Sequence, residues 1–373
     1  MERIEHFIQL PNDVKEIHQI FKKEGFELYP VGGCIRDSIL GVQPKDWDLV
    51  TNLIPDEVIK LLKGRNFVKN ILETGKSFGV VNVITSDSEY EIATMRSDGE
   101  YSDGRRPDSV VFGDMESDCM RRDIRFNALF YDIDAQEVID FVGGVNDLKK
   151  ALVRMVGNPA DRFNEDPLRI MRAVRFSARF GSELDSEAHE ALVADSSLSG
   201  ISAERIRDEF LKGIKSAKSA VSFLKLLETY KLFDWIFKGL DINQDFIESK
   251  DPIIVIADIL KRNDLAKLSN KLNTLKYTIE ESKAIVFLLN LMSLTAENAI
   301  KLKKQERNAG VTAEQIKTFA NIQKIDSKLI DAFLVFKLSV SGEDLMKLGY
   351  NEGPELGRAI NAAEYANFIK LLS

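Results

Sequence analysis

The chain has 373 residues, 44% hydrophobic and 29% charged, which excludes a disordered or fibrous protein and predicts two or more globular domains. Its net charge is −8, yet 24 basic residues stand against 20 acidic ones from Leu211 onward and 27 against 39 before it. This mildly basic rear half suits a phosphate backbone, although simple surface drift explains the charge equally well. No apolar run approaches the ~18 residues that span a bilayer, and Cys34 and Cys119 indicate neither a disulfide framework nor a zinc site; we expect a cytoplasmic protein with no membrane partner.

The first 150 residues alternate short strand-like segments, rich in β-branched and aromatic residues, with a few helical ones. The strand-like segments are 26–32, 77–85, 90–96, 108–113, 127–134 and 137–144. From about residue 160 the pattern changes to helical periodicity, as in 167–180, 285–292 and 313–322. The fold class predicted is therefore α+β: a sheet-containing head followed by an all-α remainder.

The densest chemical signal lies at the end of the first predicted strand, where Gly32 and Gly33 precede Arg36. Two glycines let backbone amides approach a ligand without obstruction, and an arginine can pair with phosphate oxygens. These three residues are the predicted triphosphate-binding cradle.

A pair of carboxylates, Asp46 and Asp48, follows this cradle. In an extended strand they point to the same face, with Trp47 turned into the core. Two convergent carboxylates suit Mg²⁺ and the two-metal mechanism of phosphoryl transfer. A lone Asp-x-Asp is commonly a solvated turn, but the preceding glycines and arginine favour the catalytic interpretation.

Five motifs in family order give the chain a resemblance to the class II tRNA nucleotidyltransferases (CCA-adding enzymes) and bacterial poly(A) polymerases, of the polymerase-β-like superfamily. The motifs are 32–48; Arg121, Arg122 and Asp123 with Asn127; 140–144 with Asp147; 165–169; and 202–206 with Glu209. Weaker similarity continues at 342–345 and 353–357.

The resemblance implies a polymerase-β-like nucleotidyltransferase head at 1–150, a helical neck at 151–215 that recognises the base, a helical body at 216–300 and a tRNA-binding tail at 301–373. It implies two Mg²⁺ ions held by Asp46 and Asp48, and as partners the tRNA 3′ end, CTP and ATP, but not DNA. A third carboxylate often assists in this superfamily. Glu91 is our candidate, with a strand-edge surface glutamate as the equal alternative.

Base selection is implied for a predicted helix over 166–179, where Asp166, Arg169 and Arg172 share one arc at i, i+3 and i+6. C and A each present a donor beside an acceptor on the Watson–Crick edge, which a carboxylate and a guanidinium match. Guanine and uracil present the reverse pattern and would leave polar groups unpaired. The carboxylate of Asp166 and the guanidinium of Arg169 can thus select C and A without a nucleic-acid template.

Ribose binding is implied for Arg122, Asp123 and Asn127, which would select ribonucleotides through the 2′-hydroxyl. The segment 124–126 departs from the family pattern, and no role is carried onto Arg125.

The polar segment 98–108 resembles the family's flexible loop, which is associated with the switch from C to A addition. Its candidate residues are Asp98, Tyr101, Asp103, Arg105 and Arg106. Its presence favours complete CCA addition, or addition of A alone.

Three alternatives stay open: a bacterial poly(A) polymerase, an enzyme that adds only the terminal A, and a non-catalytic RNA-binding protein on the same scaffold. The only histidines are His6, His18 and His189, none followed by Asp, so the phosphohydrolase that some relatives carry is not expected. Lysines such as Lys301, Lys303 and Lys304 could contact RNA, but the preferred interpretation of each one is a side chain on a solvent-exposed helix face.

Overall fold

The computed structural model describes residues 1–98 and 110–372 and divides into two compact units, Met1–Ile201 and Ser202–Ser373. The first unit holds a β-sheet with surrounding helices, and the described part of the second is helical. The predicted α+β class is confirmed. No helix in the described ranges has the length and apolar character of a membrane span.

Among the described residues, eight strands of the first unit form one sheet in the order β1-β10-β9-β2-β3-β6-β5-β4. Its strands are β1 Glu2–Glu5, β2 Leu28–Val31, β3 Asp48–Thr51, β4 Val68–Leu72, β5 Val80–Thr85, β6 Glu89–Thr94, β9 Phe130–Asp132 and β10 Glu137–Asp140. Neighbouring strands run antiparallel except β3 and β6, which are parallel. Four further described strands form two two-stranded sheets: β7 Arg96–Asp98 with β8 Val110–Phe112, and β11 Leu152–Val153 with β12 Glu183–Leu184.

The described part of the first unit also contains eight helices. They are α1 Asn12–Lys23, α2 Gly33–Ile39, α3 Pro55–Leu62, α4 Met115–Met120, α5 Gly144–Lys149, α6 Pro159–Glu165, α7 Leu168–Phe180 and α8 Ser186–Ala194. Short 3-10 turns occur at Lys76–Phe78 and Arg125–Asn127.

The second unit contains the remaining helices. They are α9 Ala203–Ser216, α10 Ala220–Thr229, α11 Phe233–Ile236, α12 Pro252–Ile259, α13 Leu265–Thr274, α14 Ile279–Leu291, α15 Ala299–Glu306, α16 Ala313–Ile322, α17 Ser327–Val335, α18 Gly342–Lys347 and α19 Pro354–Ile369.

Alternating burial explains why the sheet forms where it was predicted. In β5, Val81 and Val83 are fully buried while their neighbours are partly exposed, and β6 alternates in the same way. Such a period of two buries one face of a strand. Every strand-like segment predicted from the sequence overlaps a strand, and the three helical segments overlap α7, α14 and α16, although β6 begins at Glu89 and α14 at Ile279, before the predicted segments.

Candidate active site

Gly32 forms the turn between β2 and α2 and has a φ of +81°. This conformation is unfavourable for residues with a Cβ, which explains the glycine. A Cβ at this position would also lie 3.3 Å from Nη1 of Arg122. The turn therefore has no side chain between the backbone and the guanidinium of Arg122, and a phosphate group could approach that guanidinium, while the N–H of Gly32 itself donates to the carbonyl oxygen of Leu129 at 2.9 Å.

The candidate carboxylates lie at this same end of the central strands. Asp48, the first residue of β3, pairs with Val31 of β2 on one side and with Glu91 of β6 on the other. Directly paired residues of neighbouring strands present their side chains on the same face. Trp47 is buried, whereas Asp46 and Asp48 are exposed, which is the predicted alternation. Asp46, however, precedes the strand instead of lying within it.

Nearby arginines offset the negative charge of these carboxylates only in part. Asp48 keeps contact with solvent, but the protein atoms around it desolvate it partly and so raise its pKa; Arg122 opposes this rise and the charge of Asp46 adds to it. Partial desolvation likewise raises the pKa of the exposed Glu91, to which Asp48 contributes and which Arg121, Arg122 and Arg96 oppose. Among the residues that the structure describes, neither carboxylate accepts a hydrogen bond or forms an ion pair. In the same ranges, no three His, Cys, Asp or Glu side chains already form a closed metal-binding cluster.

Asp118 in α4, which the sequence reasoning missed, holds both arginines of the second motif. Its fully buried carboxylate pairs with Arg121 at 2.7 Å and with Arg122 at 2.8 Å. Burial alone would raise the pKa of Asp118, but Arg122 and Arg121 keep it below its usual value. The signal was present in the sequence, because residues at i, i+3 and i+4 share one helical face.

Arg36 is enclosed, which differs from the expectation of a side chain open to phosphate. It is 4% exposed, and its guanidinium lies 5.3 Å from the ring centres of both Phe176 and Phe180. It donates hydrogen bonds to Oδ1 of Asp37 at 2.8 Å and to Oδ1 of Asn127 at 2.5 Å. Arg36 thus fixes the side chain of Asn127, a candidate ribose ligand.

Asp123, another candidate ribose ligand, is bound by an arginine of α7. Its carboxylate accepts a hydrogen bond from Nε of Arg172 at 2.5 Å. Burial would raise the pKa of Asp123, but the adjacent Arg172 outweighs burial and lowers it to about 2. Farther along α7, Arg179 contacts Asp37 at 3.1 Å. The polar face of this helix is therefore directed at carboxylates of the first 150 residues.

The predicted helix over 166–179 is wrong at its start, since α7 begins at Leu168. Asp166 is extended, with φ −140° and ψ 98°. Pro167 explains this, because a residue before proline is disfavoured in the α conformation. Asp166 instead accepts a hydrogen bond from the backbone N–H of Leu168 at 3.1 Å. It therefore does not share a helical arc with Arg169 and Arg172.

Arg169, the second candidate base reader, is firmly held. It is 6% exposed and donates hydrogen bonds to Oε2 of Glu165 at 2.6 Å and to the carbonyl of Arg162 at 3.1 Å. Another bond reaches the carbonyl of Arg121 at 3.3 Å. Its orientation is consequently set in part by α6 and by the second motif.

The third motif supports the turn that carries Asn127. The carboxylate of Asp140 accepts hydrogen bonds from four successive backbone N–H groups, of which the shortest is that of Gly143 at 2.8 Å. A Cβ on Gly144 would lie 2.4 Å from the carbonyl oxygen of Arg125. Glycine therefore permits this close packing, while the Arg125 side chain donates to the carbonyl of Met155 at 3.2 Å.

The predicted flexible loop lies outside the described residues, apart from the backbone of Asp98 at the end of β7. The roles predicted for Asp98, Tyr101, Asp103, Arg105 and Arg106 stay predictions.

Two family descriptions match the chain. Residues 28–154 match the poly(A) polymerase head domain, and residues 183–243 match a probable RNA- and SrmB-binding site of polymerase A. The first match covers the strands that carry Gly32, Asp48 and Glu91. The fold and this match define a nucleotidyltransferase.

Relatives that match most of the chain show which kind of nucleotidyltransferase it resembles. The CCA-adding enzyme of Lactobacillus helveticus is 32% identical over 362 residues, covering 92% of this chain and 89% of that protein. Poly(A) polymerase I of Salmonella typhi is 34% identical over 267 residues, but covers 68% of this chain and 55% of that protein. The crystal structure of Bacillus stearothermophilus CCA-adding enzyme with CTP has a TM-score of 0.75 at 23% identity, over 97% of this chain and 98% of that one, and so shares the fold. The chain belongs to the CCA-adding enzyme family.

Proposed function

We propose that this protein adds or repairs the 3′-terminal CCA of tRNA, using CTP and ATP without a nucleic-acid template. The observation that carries the proposal is the placement of Asp48 between the Gly32 turn and Glu91, with the guanidinium of Arg122 beside the turn. Open backbone and a cation suit a triphosphate, and the adjacent carboxylates suit the cations that accompany it.

The proposed metal ligands are Asp46 and Asp48, with Glu91 as a third carboxylate. Asp48 and Glu91 fit this role because no described residue forms a hydrogen bond or an ion pair with either carboxylate and because partial desolvation raises both pKa values. Mg²⁺ is commonly bound by one or two carboxylates together with substrate phosphates, so a closed protein cluster is not required. When bound, two Mg²⁺ ions would supply charge stabilisation at the attacking and leaving oxygens.

Arg122, for which the resemblance implied a ribose contact, is here the proposed phosphate contact because its guanidinium lies beside the Gly32 turn, and Arg36, for which a triphosphate contact was predicted, is a positioning residue. Asp118 anchors Arg122 at 2.8 Å, which keeps its guanidinium at the Gly32 turn before a nucleotide binds. Arg36 is enclosed by aromatic rings and directs Asn127 instead. Such preorganised charge stabilises a transition state without reorganisation during the reaction.

Base selection is assigned to Asp166 and Arg169. A carboxylate acceptor and a guanidinium donor complement both C and A, and they leave U and G with unpaired polar groups. The contacts of Arg169 with Glu165 and two backbone carbonyls support this assignment, because they fix the guanidinium in advance. Ribose contacts are assigned to Asp123 and Asn127, and Arg172 is assigned to orienting Asp123.

A product ladder tests the proposal. The protein is incubated with labelled CTP and ATP and three tRNA substrates, ending before CCA, after CC, and after CCA. We expect CCA to be added to the first, A to the second and nothing to the third. Repeated A addition to all three would identify the poly(A) polymerase alternative, whereas extension of only the CC end would identify an A-adding enzyme.

Absence of any extension, with RNA binding intact, would identify a non-catalytic RNA-binding protein.

We also propose a cytoplasmic location, because Cys34 and Cys119 are buried free thiols and the proposed substrates are intracellular.

A further inference from the structure

The second unit contains an open cavity of about 1000 Å³ that has no part in the site described above. It lies between α14, α15 and α19, and residues of α13 complete one side. Its volume is at the upper end of the ~300–1,000 Å³ typical of small-molecule sites, so it exceeds what a single phosphate ion would fill.

Three lysines, Lys283, Lys301 and Lys304, outnumber one carboxylate, Glu297, along the cavity and give it a net positive charge. Lys283 and Lys301 are exposed, and neither forms an ion pair with any described residue. Lys304 donates a hydrogen bond across the cavity to Asn361 at 2.8 Å. Lys303 differs, because it donates to the carbonyl of Phe333 at 2.9 Å and does not line the cavity. Lys301 and Lys304 of α15 therefore line the cavity, whereas Lys303 of the same helix is bonded to Phe333.

Polar and aromatic groups also line the same cavity. Ser282 is 3% exposed, and its hydroxyl has no hydrogen-bond partner, which is costly unless a ligand supplies one. Phe287 forms part of the buried apolar lining, while the half-exposed Tyr365 lies on the α19 side. The amide of Asn290 adds both a donor and an acceptor.

We propose that this cavity binds one nucleotide of the RNA substrate, its phosphate contacting Lys283 and Lys301 and its base packing against Tyr365. Lysines, an amide and an aromatic ring are the groups that hold single-stranded nucleotides, by phosphate contact and by stacking. The inference rests on the proposed function, since it takes RNA as the partner. A free nucleotide shares this chemistry, but the open cavity and the exposed lysines favour a nucleotide within a longer chain.

The test compares the Lys283→Ala/Lys301→Ala double variant with a Lys267→Ala/Lys328→Ala control in the full chain. Both control lysines are exposed in the same unit and lie outside the cavity. Affinity for a labelled tRNA ending before CCA is measured by fluorescence anisotropy between ~50 and 200 mM salt. We expect the cavity variant to bind roughly tenfold more weakly and its salt slope to fall by ~0.7, because it loses one single-strand phosphate contact.

A Tyr365→Ala variant tests the base contact and leaves the lysines intact. We expect its affinity to fall at least roughly fivefold with an unchanged salt slope, since stacking on an aromatic residue is worth ~1–3 kcal/mol per base. Unfolding temperatures equal to that of the unaltered protein confirm that both variants fold.

Three results would overturn the inference. The lysine variant could bind tRNA as its control does. Tyr365→Ala could leave tRNA affinity unchanged, which would reduce the cavity to a general phosphate contact. The lysine variant could instead weaken only the binding of free CMP or AMP, which would identify a free-nucleotide site. Failure of the proposed function is distinguishable, because it would abolish incorporation by the unaltered protein without changing the binding comparison.

Discussion

Replacing Asp123 by Asn should destabilise the first unit by about 2 kcal/mol at neutral pH. The pKa of Asp123 falls from its usual 3.8 to about 2 beside Arg172. Each unit of separation between folded and unfolded pKa is worth ~1.36 kcal/mol. The Asp123 side chain is 12% exposed, so solvent screens the pair little. A lowered folded pKa stabilises the protein above the unfolded pKa, and this contribution is lost as pH falls from about 4 through about 2.

The assay is urea unfolding at neutral pH and down to the lowest pH at which the protein stays folded. Trp47 lies in the same unit as Asp123, and Trp235 lies in the other. Replacing Trp235 by Phe in every variant makes the fluorescence report on the first unit alone. Asp134→Asn is the control, because Asp134 pairs with Lys22 but is 52% exposed, and surface pairs contribute ~0–1 kcal/mol.

The difference between Asp123→Asn and the parent should shrink as the pH falls below about 4. A difference below ~0.5 kcal/mol at neutral pH, or one that does not change with pH, would refute the lowered pKa of Asp123 and its contribution to stability. Combining Asp123→Asn with Arg172→Met should cost less than the sum of the single changes, since the two residues contact each other.

Changes at the other assigned groups give separate expectations. Asp48→Asn should lower nucleotide incorporation by about 10²–10³-fold while tRNA affinity is retained, and Asp87→Asn, an exposed control, should change neither. Asp166→Ala should reduce discrimination against UTP and GTP by roughly tenfold in single-nucleotide assays; an unchanged ranking of the four nucleotides would make Asp166 structural. Shortening the 98–108 loop to Gly-Ser should lower A addition to a CC end about tenfold relative to C addition, and an unchanged ratio would contradict a switching role. Asp118→Asn should raise the KM for CTP about tenfold because Arg122 loses its anchor, and an unaltered KM would disprove that anchoring.

The sequence predicts buried strands well and exposed edge strands poorly. β5 is recognisable because its valines and isoleucine alternate with less buried positions and the core requires that pattern. β1, with the sequence Glu-Arg-Ile-Glu, is not, because it forms an edge of the sheet with mostly exposed charged side chains. Its pairing with β10 depends on backbone hydrogen bonds, and these impose little preference on the type of residue.

For the candidate site, the sequence identifies the groups but not their partners. The glycine at position 32 and the Asp46–Asp48 alternation follow from local backbone geometry, and both are visible in the sequence. Whether an arginine faces a ligand or a buried carboxylate depends on tertiary packing. The enclosure of Arg36 by two phenylalanines more than a hundred residues away could not be read from its neighbours in the chain.

The ion pairs along α7 limit how parts of this protein can be exchanged with those of a relative. A chimera joined near residue 150 would take Asp37 and Asp123 from one parent and Arg179 and Arg172 from the other. If the second parent lacked these arginines, Asp123 would lose its arginine partner and Asp37 would keep only Arg36. A junction between Ile201 and Ser202, where the compact units meet in the sequence, keeps both pairs within one parental segment. For these ion pairs, recombination is therefore better tolerated at that boundary than at the end of the eight-stranded sheet.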